Sequence, residues 1–176
     1  SKEYFQQDRN RNRYYLFMLL TEGATMGIFL SADFFTTFIF FEIMSFTSYV
    51  WVAFDEKKES LKAAETYLAV AVIGGLVMLM GLFILYRELG TLEITALAEA
   101  VRSHTLAGES GAVRYRNLFI GASCLLFGFG AKAGVFPLHI WLPKAHPVAP
   151  APASALLSGI LTKAGVFGII VITGGL

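Results

Sequence analysis

Ionisable side chains set inside long apolar runs are where this sequence could do chemistry. Glu42 lies in FFTTFIFFEIMSFTSYVWV, Lys132 late in a second run and Lys163 early in a third, while Glu22 interrupts the first apolar stretch. Insertion scales put an acidic or basic residue at the centre of a membrane span at about 2.5–3.5 kcal/mol unfavourable, so several in one small bundle must face inward, pair or be hydrated. Groups of that kind mark proton or ion paths. Each has a competing explanation. For Glu42 and Lys132 it is a salt bridge that only fixes helix packing, for Lys163 a side chain snorkelling to an interface, and for Glu22 a local hydrogen bond beside Thr21 and Gly23.

Secondary candidates follow Lys132 in the chain. His139 comes seven residues later, which would put both on one side of an unbroken helix, but Pro137 intervenes, so a proton relay and a packing role both stay open. His146 lies near prolines and reads as a loop residue. Ser154, Ser158 and Thr162 recur at four-residue spacing and could hydrate one helix face leading to Lys163; ordinary packing of membrane helices by small residues explains them equally.

Those residues need a backbone to hold them. In the stretch GFGAKAGVFPLHIWLPKAHPVAPAP, residues 128–152, Pro137 has no N–H and its ring would collide with the carbonyl of Ala133, so a helix arriving from Leu118 is expected to break just after Lys132. The freed polar groups need partners, because irregular backbone survives at membrane depth only against protein or a water-filled cavity. Lys132 is therefore expected to face a wet interior.

Composition agrees with a membrane setting. Of the 176 residues, 56% are hydrophobic and 16 are Phe, with a mean hydropathy of +0.62. The expected fold class is an all-α integral membrane protein with about five transmembrane helices, one of them broken around Pro137. A net charge of +1 gives no bulk attraction to nucleic acid. The lone Cys124 excludes an internal disulfide and reads as a small buried hydrophobe. The three histidines show no metal-ligand spacing and no phosphate-binding glycine loop is present, so neither a metal nor a cofactor is expected.

Taken in order, residues 1–13 are polar and basic and read as a cytoplasmic segment. Spans are expected at about 14–30, 34–54, 67–86, 118–136 and 153–173, with 55–65 a charged connection. Gly74, Gly75 and Gly81 in the third span offer places for close helix approach. Residues 87–117 form an external loop holding a short surface helix over 92–102, interrupted at 108–111. With the N-terminus inside, residues 55–65 and 143–152 are inside too. These segments together hold more Lys and Arg than 87–117, as the positive-inside rule prefers. No leader of the secretory type is read. An opening on Ser1 and a close on Leu176 suggest a piece of a longer protein.

The runs FFTTFIFFEIMSFTSYVWV, GAKAGVFPLHIWLPKAHPVAPAPASALLSGI and LTKAGVFGII resemble the proton-translocating antiporter-like subunits shared by respiratory complex I, energy-converting membrane hydrogenases and multisubunit sodium/proton antiporters. The resemblance covers nearly everything from Tyr14 onward. Such subunits are built from two inverted five-helix repeats, each with a broken helix and each forming a half-channel. The resemblance implies that this chain is the first repeat, that a second repeat of the same polypeptide is missing, and that the partners are other membrane subunits of a complex in the plasma membrane, together with lipid. It assigns proton transfer to Glu42, Lys132 and Lys163. WLPKAHPVAPAPASALLSG looks closest to the membrane hydrogenase and formate hydrogenlyase type, and Ser158 stands where many quinone-linked relatives have a histidine.

The expected function is proton translocation by a transport subunit with no redox chemistry of its own, coupled to a redox complex. A sodium/proton antiporter subunit and a non-pumping scaffold are the alternatives. Burial disfavours a charged amine while a nearby carboxylate favours it, so Glu42 is expected to hold a proton on Lys132 and to release it when moved or neutralised.

Overall fold

A computed structural model of the protein describes residues 10–106 and 111–175. Most of the cytoplasmic segment expected over residues 1–13, and most of the interruption expected at 108–111, lie outside the described residues. The chain folds as α1 (Arg11–Leu30), α2 (Phe34–Val52), α3 (Lys58–Leu89), α4 (Ile94–Leu106), α5 (Gly111–Ala133), a 3₁₀ turn (Leu138–Trp141), α6 (Leu142–Val148), α7 (Ala151–Leu156), a π turn (Leu157–Leu161) and α8 (Thr162–Gly175). Among the described residues the one strand-like pairing is an isolated antiparallel bridge between Asp33 and Glu93. It ties the α1–α2 turn to the α3–α4 connection through Phe34 N to Leu92 O (3.0 Å) and Ile94 N to Ala32 O (2.9 Å).

Among the described residues, four helical stretches are long and apolar enough to cross a membrane: Phe34–Val52, Lys58–Leu89, Tyr115–Val148 and Ala151–Gly174. α1 has the length, at 20 residues. Its Arg, Asn, Thr and Glu residues leave it less apolar than the other four.

Packing follows the small residues. α3 lies along α5, α1 along α2, α2 along α3, and α5 along α8, with α6 and the 3₁₀ turn also against α3. On the α3–α5 seam a Cβ on Gly81 would come within 2.6 Å of Leu125 Cδ1, and one on Gly128 within 2.6 Å of Met78 Cβ. The backbones of α3 and α5 therefore approach closely, as small residues allow in membrane bundles.

Local sequence explains the helix ends. Asp33 starts α2, with Oδ1 accepting from Thr36 N (2.8 Å) and Oδ2 from Thr36 Oγ1 (2.7 Å). Partial burial works to raise this carboxyl's pKa, but the hydrogen bonds from Thr36 and Phe35 outweigh it and hold the group below the ordinary value. α3 begins at Lys58, inside the stretch read as a charged connection, because KESLKAAE consists mostly of good helix formers. At 32 residues it is about 48 Å long and overruns a hydrocarbon core of about 30 Å.

The break after Lys132 has a different cause from the one argued for Pro137. α5 ends at Ala133 because Gly134 adopts φ +75°. Val135 N then donates back to Gly130 O (3.0 Å), the bond that closes a left-handed glycine cap. Pro137 lies beyond the end and so never meets the Ala133 carbonyl within a helix. The segment after it also departs from expectation. Pro143 occupies the first turn of α6, where its missing N–H is harmless, so part of the stretch read as an inner loop is helix.

Candidate functional site

Lys132 sits in the last turn of α5 and is 3% exposed, so its ammonium must find partners inside the bundle. Nζ donates to Ser45 Oγ at 2.9 Å and to Tyr67 Oη at 2.5 Å. It also lies 4.7 Å from the centroid of the Tyr67 ring and 6.0 Å from that of Phe41. Trp141 backs the Tyr67 ring, with centroids 4.9 Å apart, and its indole N–H is anchored on Ala131 O at 2.8 Å. Two hydroxyls and two aromatic faces thus enclose the amine, drawn from α2 and α3 and closed by the turn after the break.

Glu42 is also on α2, three residues before Ser45. Its charge and that of Lys132 act on one another, yet the two form no ion pair. Oε1 is buried and without a hydrogen-bond partner among the described residues. It rests against Gly75 of α3, where any Cβ would run into the carboxyl group. The packing salt bridge weighed from sequence as the competing explanation is therefore not formed. Buried carboxylate oxygens normally have partners, and an exception in a native site calls for a functional or solvent-borne explanation.

The other candidates lie elsewhere. His139 is half-buried in the 3₁₀ turn, tilted on Phe136 (centroids 5.6 Å apart), and its Nδ1 is buried with no hydrogen-bond partner among the described residues. His146, in α6, has Nδ1 bonded to Ser154 Oγ, whose hydrogen goes to the His146 carbonyl (3.1 Å). Ser158 Oγ turns back to Ser154 O (3.3 Å) and Thr162 Oγ1 to Ser158 O (2.8 Å), so each hydroxyl serves its own helix. Lys163 is exposed on α8. Glu22 is exposed at a cavity of about 200 Å³, lined also by Met18, Thr25, Trp51, Leu156 and Ile160. The fold brings Glu42 and Lys132 together and leaves Lys163, Glu22, His146 and Ser158 outside their enclosure.

Sequence reasoning missed Ser45, Ser48, Tyr67, Trp141 and the role of Gly75. One signal was available for the serines: positions 42, 45 and 48 are spaced three apart and share one face of a helix. Tyr67 gave none, since a tyrosine at the edge of an apolar run reads equally as an interface anchor.

A bundle of apolar helices with a buried amine, an unpaired carboxylate and a helix broken beside the amine defines a class of helical membrane protein. Similarity to known proteins narrows the class. Residues 31–175 match the family described as "NADH:quinone oxidoreductase/Mrp antiporter, TM", and the chain belongs to that family. It is 35% identical to Hydrogenase-4 component B of Escherichia coli (strain K12), over 88% of this chain and 21% of that protein. It is 32% identical to an Na(+)/H(+) antiporter subunit of Alkalihalophilus pseudofirmus, over 92% of this chain and 31% of that protein. Among solved structures it is similar to a chain of the membrane-bound sulfane sulfur reductase, an archaeal respiratory membrane complex (TM-score 0.77, 28% identity, 89% of this chain and 30% of that one). It is similar too to a chain of the Mrp complex from Dietzia sp. (TM-score 0.76, 25% identity, 90% and 28%). The chain spans between a fifth and a third of the length of these curated relatives. It is membrane-embedded and multi-pass, with an antiporter-like fold.

Proposed function

We propose that this chain is the first half-channel of a proton-translocating subunit in the plasma membrane, working beside other membrane subunits and a second repeat of the same polypeptide. The observation that carries the reading is the enclosure of Lys132: a buried amine held by neutral hydroxyls, with the Glu42 carboxylate near but unpaired. A salt bridge made only for packing would join the two charges. Here the carboxylate is free to accept or return a proton, and the amine can change charge without breaking an ion pair. Lys163, on the exposed side of α8, then passes the proton onward, with His139, and at lower priority Glu22, His146 and Ser158, as auxiliary groups. Moving one charge through 100 mV takes about 2.3 kcal/mol, an energy that a modest rearrangement around a buried amine supplies.

The test is Lys132→Met in the full-length protein, assembled and reconstituted in proteoliposomes. Proton flux is expected to fall to background while assembly is retained; full flux in the assembled variant would favour the scaffold alternative. The likeness to an Na(+)/H(+) antiporter subunit supports a second reading, a sodium-coupled path. Sodium dependence of the same flux separates the two.

A further inference from the structure

We propose that Tyr67, acting with Ser45 and backed by Ser48, is a positioning residue that holds two of the three Lys132 protons and leaves one to transfer. The inference rests on the proton-path reading above and assigns the hydroxyls of that enclosure a specific task.

The hydrogen directions carry the argument. A hydroxyl has one hydrogen to give. Ser48 Oγ donates at 2.6 Å to Met44 O, so in its 2.6 Å contact with Tyr67 Oη the tyrosine is the donor. Ser45 Oγ likewise donates to Phe41 O at 2.9 Å. Both oxygens therefore face Lys132 as acceptors only. An ammonium offers three N–H groups and a neutral amine two. The cradle takes two, so it is filled equally well before and after deprotonation, and losing the third proton breaks no bond to protein.

The same directions exclude a relay through the hydroxyls. Each chain ends on a main-chain carbonyl, Met44 O or Phe41 O, that has no proton to pass on. The rings of Tyr67 and Phe41, with Trp141 behind, close further sides. In the transfer step the third N–H bond breaks, its electron pair stays on Nζ, and the proton passes through water to the Glu42 carboxylate. Gly75 keeps that carboxylate from being pushed onto the amine, because it provides the space in which Oε1 rests.

The experiment uses the full-length subunit in its assembled complex, with proton flux into proteoliposomes followed across pH. Tyr67→Phe keeps the ring and removes the acceptor. It is expected to lower flux about tenfold, the size of one lost hydrogen bond to a charged group, and to displace the pH profile. Ser48→Ala leaves Tyr67 in place but removes its acceptor, and is expected to displace the profile in the same direction by less. Lys132→Met in parallel tests the underlying reading. Flux surviving in Lys132→Met overturns that reading and this inference with it. Flux lost in Lys132→Met but unchanged in rate and profile in an assembled Tyr67→Phe overturns this inference alone. Should Tyr67→Phe fail to assemble, an unaltered profile in Ser48→Ala overturns it equally.

Discussion

The pentapeptide Lys-Ala-Gly-Val-Phe occurs twice, at residues 132–136 and 163–167, and the two copies adopt opposite structures. In the first, helix stops: Gly134 turns left-handed at φ +75°, Lys132 is buried, and Phe136 is 83% exposed. In the second, helix continues: Gly165 is helical, Lys163 is exposed, and Phe167 packs edge-on against Phe29 with centroids 5.0 Å apart. The copies also touch. A Cβ on Gly165 would come within 2.6 Å of both Ala133 N and Phe129 O, so the glycine of the second copy admits the helix end of the first. The same five side chains thus carry no conformation of their own. What differs is the segment that follows, Pro-Leu-His in one case and Gly-Ile-Ile in the other, and the room left by neighbouring helices.

Substitutions at the matched positions should separate these causes, read as thermal unfolding of the full-length protein in detergent. The largest effect is expected from Gly165→Leu, which forces a branched side chain against backbone that cannot move aside and should cost more than about 3 kcal/mol. A melting temperature unchanged by Gly165→Leu would break the contact between the copies. Gly134→Ala should cost about 1–2 kcal/mol, the penalty of a left-handed conformation for a residue with a Cβ. Equal losses at the two glycines for an alanine substitution would remove the distinction between a position that needs space and one that needs a torsion.

Asp33→Ala, away from both copies, sets the scale at about 1 kcal/mol for a lost helix cap. Because its folded pKa is depressed, the contribution of Asp33 is present above the ordinary carboxylate range near 3.9 and is lost as pH falls through the lower folded value. Stability that falls with rising pH in the wild type relative to Asp33→Ala would contradict that sign. The smallest effect belongs to Lys163→Met, within about 0.5 kcal/mol as for most exposed positions. A water-soluble amine reagent should label Lys163 and spare Lys132, and labelling of both at equal rates would erase the contrast in burial.

Much of this was legible from residues alone. Charged side chains in apolar runs located Glu42 and Lys132, because the cost of burying charge in hydrocarbon leaves few reasons to keep it. The break beside Lys132 was also legible, although a glycine torsion produces it rather than the proline that drew attention. The hydroxyl cradle was not. Serines that bond their own helix carbonyls look the same in sequence whether or not they also face an amine, and the register between α2, α3 and α5 is set by packing across the seam. Lys163 is exposed, in line with the competing explanation weighed for it, and the four-residue spacing that led toward it assumes an uninterrupted helix.

The π turn at Leu157–Leu161 is where that assumption fails. A single wide turn holds one residue more than the helix around it needs, so everything downstream is rotated by one step, about 100°, relative to an unbroken helix. It is an extra tooth on a gear: α7 and α8 run on as one stretch but not in one phase, and removing one residue from the wide turn would aim the Lys163 amine along a different radius.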